Sequence, residues 1–198
     1  MAKQEREGNN NHGTYYDVQV IGIYLFLGQK DEARAVATSA LKTRIDAQIE
    51  ADGKQTEELV RKTSWYYSVF NLQALMSLAR WGDDVGVDMW NYEGPEGQSI
   101  KKAVDFLLPY SLKNGKDWPV ENIKGFEMAD YLKCLHIAYT IWGDGKYLEA
   151  ITVLEPPVRA RMDAGQLKTI STYMCDMSTL LEGGRRGGQG MIWHWCLT

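Results

Sequence analysis

Four residues in two clusters are suited to chemistry on an anion. Asn11 and His12 lie in Asn9-Asn10-Asn11-His12-Gly13-Thr14-Tyr15-Tyr16-Asp17-Val18-Gln19, just ahead of the apolar run Val20 to Leu27. Arg61 and Tyr67 lie in Arg61-Lys62-Thr63-Ser64-Trp65-Tyr66-Tyr67-Ser68, which leads into a second apolar run. Asn and Thr suit helix N-caps, because their side-chain oxygens accept free backbone N–H groups. Each cluster therefore reads as the start of a helix, and helix N-termini favour anions. If the two helices run parallel, one rim gathers an amide, an imidazole, a guanidinium and a phenol around a negatively charged ligand. Each residue taken singly also has a structural reading: Asn11 as a cap, His12 as its satisfied neighbour, Tyr67 as core.

The helices that would position these groups follow from apolar spacing. Residues 14–27 read as a helix apolar nearly all round, hence an inner one, closed by Gly28. Residues 30–51 carry Ala33, Val36, Ala37, Ala40, Leu41, Ile45 and Ile49 on one face. The opposite face has Arg34, Lys42, Asp46 and Glu50, so this helix is an outer one. Residues 57–81 form a third helix, or two pieces meeting near Thr63-Ser64, broken by Gly82-Asp83-Asp84. Further helices are expected over 98–113 and 125–142. Another begins at Tyr147, is interrupted at Pro156-Pro157, and is followed by a last one over 158–181. No period-2 strand appears.

A helix ending recurs, as Phe-Leu-Gly-Gln-Lys-Asp-Glu-Ala at 26–33, Trp-Gly-Asp-Asp at 81–84 and Trp-Gly-Asp-Gly-Lys-Tyr-Leu-Glu-Ala at 142–150. It marks a degenerate repeat of inner and outer helices, as in an α/α solenoid or toroid.

The chain's 198 residues fit one domain, and 44% hydrophobic residues make it globular. A net charge of −4 with no basic block argues against a nucleic-acid partner, though it leaves a small polyanion groove open. No stretch is long enough to span a membrane, and the first eight residues lack the apolar core of a signal peptide. Cys134, Cys175 and Cys196 show no metal spacing, and Cys134 reads as a buried thiol. With three scattered His, no metal or cofactor is implied. After Leu181 the text changes: Gly183 to Gly190 is low-complexity and Met191 to Thr198 has no helical logic. This divides the chain into residues 1–182 and a tail, 183–198, that is disordered or out of frame; His194 there is set aside.

Three ordered motifs resemble a family. Asn-Asn-His-Gly-Thr-Tyr-Tyr-Asp at 10–17, Arg-Lys-Thr-Ser-Trp-Tyr-Tyr-Ser-Val-Phe-Asn-Leu-Gln-Ala-Leu at 61–75 and Gly-Val-Asp-Met-Trp-Asn-Tyr at 86–92 are similar to the alginate lyase superfamily of polysaccharide lyases. The resemblance implies an all-α, incomplete (α/α) toroid of antiparallel helical hairpins. It implies an enzyme that cleaves β-1,4-linked uronic acid polymers by β-elimination, with an anionic polysaccharide as partner and the periplasm or exterior as the location of the full-length form. It implies that Asn11, His12 and Arg61 neutralise the uronate carboxylate while Tyr67 serves as base and acid. Tyr66 is adjacent, and only the local order Tyr-Ser-Val-Phe-Asn-Leu selects Tyr67. A tyrosine has an unperturbed pKa near ~10, so Arg61 or a protonated His12 is needed to favour phenolate. Tyr15, Tyr16, Trp65, Tyr66, Trp90 and Tyr92 are candidates for sugar stacking and equally for packing. Because the Asn-Asn-His motif stands almost at the chain start, the resemblance also implies the C-terminal part of a longer lyase, weakly active or inactive by itself. The competing readings are a catalytically silent α/α sugar-binding protein and a helical interaction scaffold.

Overall fold

A computed structural model describes residues 5–163. Seven helical segments carry the fold. They are α1 (Asn11–Phe26), α2 (Lys30–Ala40, continued by a π-helical stretch Leu41–Asp46), α3 (Thr56–Leu59), α4 (Ser64–Val85), α5 (Ile100–Ser111), α6 (Ala129–Trp142) and α7 (Gly145–Asp163). No strand forms among the described residues; one isolated bridge joins Thr63 to Asn122. By its contacts the chain divides into Met1–Val158 and Arg159–Thr198. The end of α7 falls in the second unit, and everything below concerns the first.

Helix α4 is the hub, packing against α1, α2, α3, α5 and α6. Its core face carries Trp65, Val69, Leu72, Leu75, Met76 and Ala79, all nearly inaccessible to solvent. The direction of each neighbour can be read from paired contacts. Tyr15 of α1 meets Phe70, and Gly22 faces Trp81, so α1 and α4 run parallel. Gln48, just beyond the π stretch, meets Asn71, while Arg34 reaches Val85, so α2 runs antiparallel to α4. Trp65 bonds Glu127 ahead of α6, and Trp90 beyond α4 meets Trp142 at the end of α6, so α6 is parallel to α4 as well. Tyr131 bonds Val104 and Lys101 reaches Trp142, so α5 opposes α6. This alternation, α1, α4 and α6 one way and α2 and α5 the other, is the hairpin order of part of an (α/α) toroid.

The structure corrects several sequence expectations. The third helix is two pieces, α3 and α4, as one of the two readings had it. Helix α4 continues past Gly82, which is buried inside it, and stops at Gly86, whose φ of 74° suits a residue with no Cβ. Pro156 and Pro157 lie within α7 instead of interrupting it. Helix α1 is not buried all round. It buries Asn11, Gly13, Thr14, Asp17 and Ile21, while Phe26 is 89% exposed and Ile23 58%. Cys134 is a buried free thiol, and burial pushes its pKa well up. Cys175, Cys196, the helix expected to 181 and the boundary at 182 lie outside the described residues.

Candidate active site

The site forms where the parallel helices α1 and α4 begin. Asn10, not Asn11, caps α1: its side chain accepts the N–H of His12 at 3.1 Å. Asn11 and His12 therefore stand in the first turn itself. Asn11 is 4% exposed and turns inward, where it meets the carboxylate of Glu58 at the end of α3. His12 faces outward, and its Nδ1 lies 2.8 Å from Glu5 Oε2.

Arg61 belongs to the short link between α3 and α4, and Tyr67 to the first turn of α4. The guanidinium lies over the Tyr67 ring, 3.8 Å from its centroid. That is a close cation–π contact, and it sets a permanent positive charge against the phenol. Asn11, Arg61 and His12 all act on Glu58. Burial is the largest influence and raises its carboxyl pKa above the usual range; the Asn11 N–H groups, Arg61 and His12 pull the other way. The structure thus brings Asn11, His12 and Arg61 around Glu58, with Tyr67 under the Arg61 guanidinium.

Aromatic rings continue from this centre. Tyr67 meets Tyr66 edge-on at 5.3 Å, Tyr66 stacks on Phe70 at 5.6 Å, and Phe70 meets Tyr15 at 4.4 Å. Tyr66 is 49% exposed, which suits an open ring face. Its phenol is pushed up, first by partial burial and then by Asp130 and Tyr67. Of the two adjacent tyrosines, Tyr67 is the one that lies under the Arg61 guanidinium. Tyr16 is half-buried on the same turn as Tyr15.

The remaining aromatic candidates lie elsewhere. Trp65 is 1% exposed, donates its indole N–H to the Glu127 carbonyl, and packs among Trp118, Phe126 and Tyr131. Its part is in the core, not in sugar stacking. Trp90 is 6% exposed and bonds Asp83 near the far end of α4. At 1.5 Å per residue, Asp83 stands about 24 Å along the helix from Tyr67. Tyr92 donates its phenolic O–H to Asp46 in the π stretch.

Residues that the sequence did not single out hold the site in place. Arg44, from the π stretch, is 3% exposed. It pairs with Asp17 at 2.8 Å and donates to the carbonyls of Gly8 at 2.9 Å and Arg6 at 2.7 Å. It thereby ties the segment ahead of Asn11 to the outer helix. Gly13 allows the close approach, because a Cβ there would overlap the Gly8 carbonyl and press on the Arg44 guanidinium. Below Asn11, Thr14 donates to Gln48 while Asn71 donates to both Gln48 and Gln55, each at 2.9 Å. These buried amides lock α1, α2 and α4 in register. A hint was present in the sequence, in the polar residues Thr14, Asp17 and Asn71 set within otherwise apolar helices.

An all-helical hairpin array with a phenol, a guanidinium, an amide and an imidazole gathered at one rim narrows the protein to the (α/α)-toroid class. The alginate lyase family model matches residues 1–118, more than half of the chain, and this span holds all four groups. The chain belongs to the alginate lyase family. Among solved structures, an alginate lyase from Bacteroides ovatus is 32% identical and superposes with a TM-score of 0.74. That match covers 81% of this chain and 43% of the other, so this chain spans less than half of that enzyme's length. No curated protein matches the chain. No helix among the described residues is long and apolar enough to cross a membrane.

Proposed function

We propose that the protein is a polysaccharide lyase acting on β-1,4-linked uronic acid polymers of the alginate type, in the periplasm or outside the cell. The observation that carries this reading is the Arg61 guanidinium over the Tyr67 ring beside Asn11 and His12, inside the stretch that matches the family.

Elimination begins at C5 of a uronate, whose proton is only weakly acidic because the adjacent carboxylate already carries negative charge. Asn11, His12 and Arg61 neutralise that charge, acting as hydrogen-bond donors set where charge develops. Tyr67, as phenolate, removes the C5 proton. The electron pair forms the C4=C5 double bond as the C4–O4 bond breaks. The phenol then returns the proton to O4, so the residue ends as it began. One tyrosine can do both where the C5 proton and O4 lie on the same face of the sugar. Arg61 is placed to attract the negative charge of the Tyr67 ring, while Tyr66 and Tyr15 offer rings against the sugar faces.

A second reading, a catalytically silent sugar-binding protein, draws on the burial of Asn11 and the commitment of its amide to Glu58. Product absorbance separates the two. The C4=C5 double bond conjugated to the carboxylate absorbs in the ultraviolet, so a panel of mannuronate-, guluronate- and glucuronate-containing polymers should give rising absorbance with at least one. Binding of a polymer without any rise would favour the silent protein.

A further inference from the structure

Asn11 meets Glu58 more fully than the start of a helix requires, since Asn10 already caps α1. The Asn11 backbone N–H donates to Glu58 Oε1 at 2.6 Å. Its side-chain Nδ2 lies 3.1 Å from Oε1 and 3.0 Å from Oε2. The two oxygens of one carboxylate subtend only about 40° at a nitrogen roughly 3 Å away, whereas the two N–H bonds of an amide diverge by about 120°. One N–H therefore straddles both oxygens, and the second is directed away from Glu58. We propose that Glu58 is a positioning residue, fixing the Asn11 amide so that its second N–H is presented to the uronate carboxylate.

Two observations converge on this role. Glu58 is 1% exposed, and a carboxylate so deeply buried is a poor stabiliser beside an apolar side chain of similar size. The positive charges of Arg61 and His12 favour its carboxylate form, against the burial that opposes it. Without Glu58 the Asn11 amide could rotate and turn its carbonyl oxygen outward, which would repel a carboxylate instead of binding it. The backbone bond to the same oxygen keeps the first turn of α1 seated on α3 while substrate comes and goes.

The identity of the ligand rests on the lyase reading, but the Asn11–Glu58 bond does not, and the test separates them. In the isotope-labelled full chain, a through-hydrogen-bond coupling should connect the Asn11 backbone nitrogen with the Glu58 carboxyl carbon. One Nδ2 proton should be shifted downfield and protected from exchange. Adding a mannuronate trisaccharide should move the other Nδ2 proton. Glu58→Ala should abolish the coupling, and Glu58→Gln, which offers Nδ2 one acceptor oxygen in place of two, should lower kcat on the order of 10–100-fold with KM nearly unchanged, as a misplaced catalytic group does. In an Asn11→Ala background Glu58→Gln should change kcat less than about threefold, because the two act as one unit. Absent coupling with two equivalent, exchanging Nδ2 protons in the parent would overturn the proposal, and so would an undiminished effect of Glu58→Gln without Asn11. The coupling needs no variant, so misfolding of Glu58→Gln leaves the decision intact. If the parent turns over no uronan, the lyase reading falls, and the coupling and the trisaccharide shift still decide what Glu58 does.

Discussion

Replacing Arg44 with alanine should be among the most damaging single changes outside the candidate site residues. Its guanidinium and the Asp17 carboxylate are 4% and 10% exposed as side chains, at a separation of 2.8 Å. Removing one partner of such a pair strands a buried charge, at about 3–5 kcal/mol. The carbonyls of Gly8 and Arg6 lose their donors in the same step, so the segment leading into Asn11 comes loose. With a urea dependence of about 2 kcal/mol per molar, the midpoint should fall by about 1.5–2.5 M, followed by circular dichroism at the helix band. Arg44→Met combined with Asp17→Leu should recover much of the loss, because no unpaired charge remains. A shift under about 0.5 M for Arg44→Ala would mean that the pair is open to water and that residues 6–8 are not held by it.

Three further outcomes follow from the packing. Gly13→Ala should destabilise by about 1–3 kcal/mol, since its Cβ would overlap the Gly8 carbonyl and push against Arg44; unchanged thermal unfolding would contradict the close approach. Trp65→Ala should cost about 3–5 kcal/mol, read by denaturant titration, whereas a stable variant with weakened uronan binding would return Trp65 to the groove. Burial raises the folded-state pKa of Glu58 above its unfolded value, so the folded chain holds that proton more tightly. This contribution is complete below the unfolded value near ~4.3 and is lost as pH rises through the folded one. Parent stability relative to Glu58→Gln should therefore decline from about pH 4 upward, and a flat difference would be the contrary result.

The helices were legible because their apolar positions recur at helical spacing and their ends carry glycine, as Gly28 and Gly143 do with φ of 74° and 65°. Gly82 misled because it sits beside two aspartates like a terminator, whereas here it lets the α4 backbone approach Val87 and Met89. Pro156 and Pro157 misled because a helix-breaking tendency of order 3 kcal/mol is a local quantity that surrounding structure can outweigh. The meeting of Asn11, His12, Arg61 and Tyr67 was legible from cluster position and family resemblance. Glu58 and Arg44 were not, since a glutamate and an arginine on charged helical stretches look like solvated residues. Only the tertiary arrangement turns them inward. Trp65, Trp90 and Tyr92 illustrate the converse, because an aromatic near a motif in sequence need not face the same side in space.

The most direct measurement is ultraviolet absorbance at the unsaturated-uronate band, with the parent and Tyr67→Phe each incubated with alginate. The substitution removes only the phenolic oxygen and keeps the ring beneath Arg61, so fold and binding should persist. The account predicts rising absorbance with the parent and none above background with Tyr67→Phe, while Tyr66→Phe retains turnover. Near-parental turnover by Tyr67→Phe would contradict it.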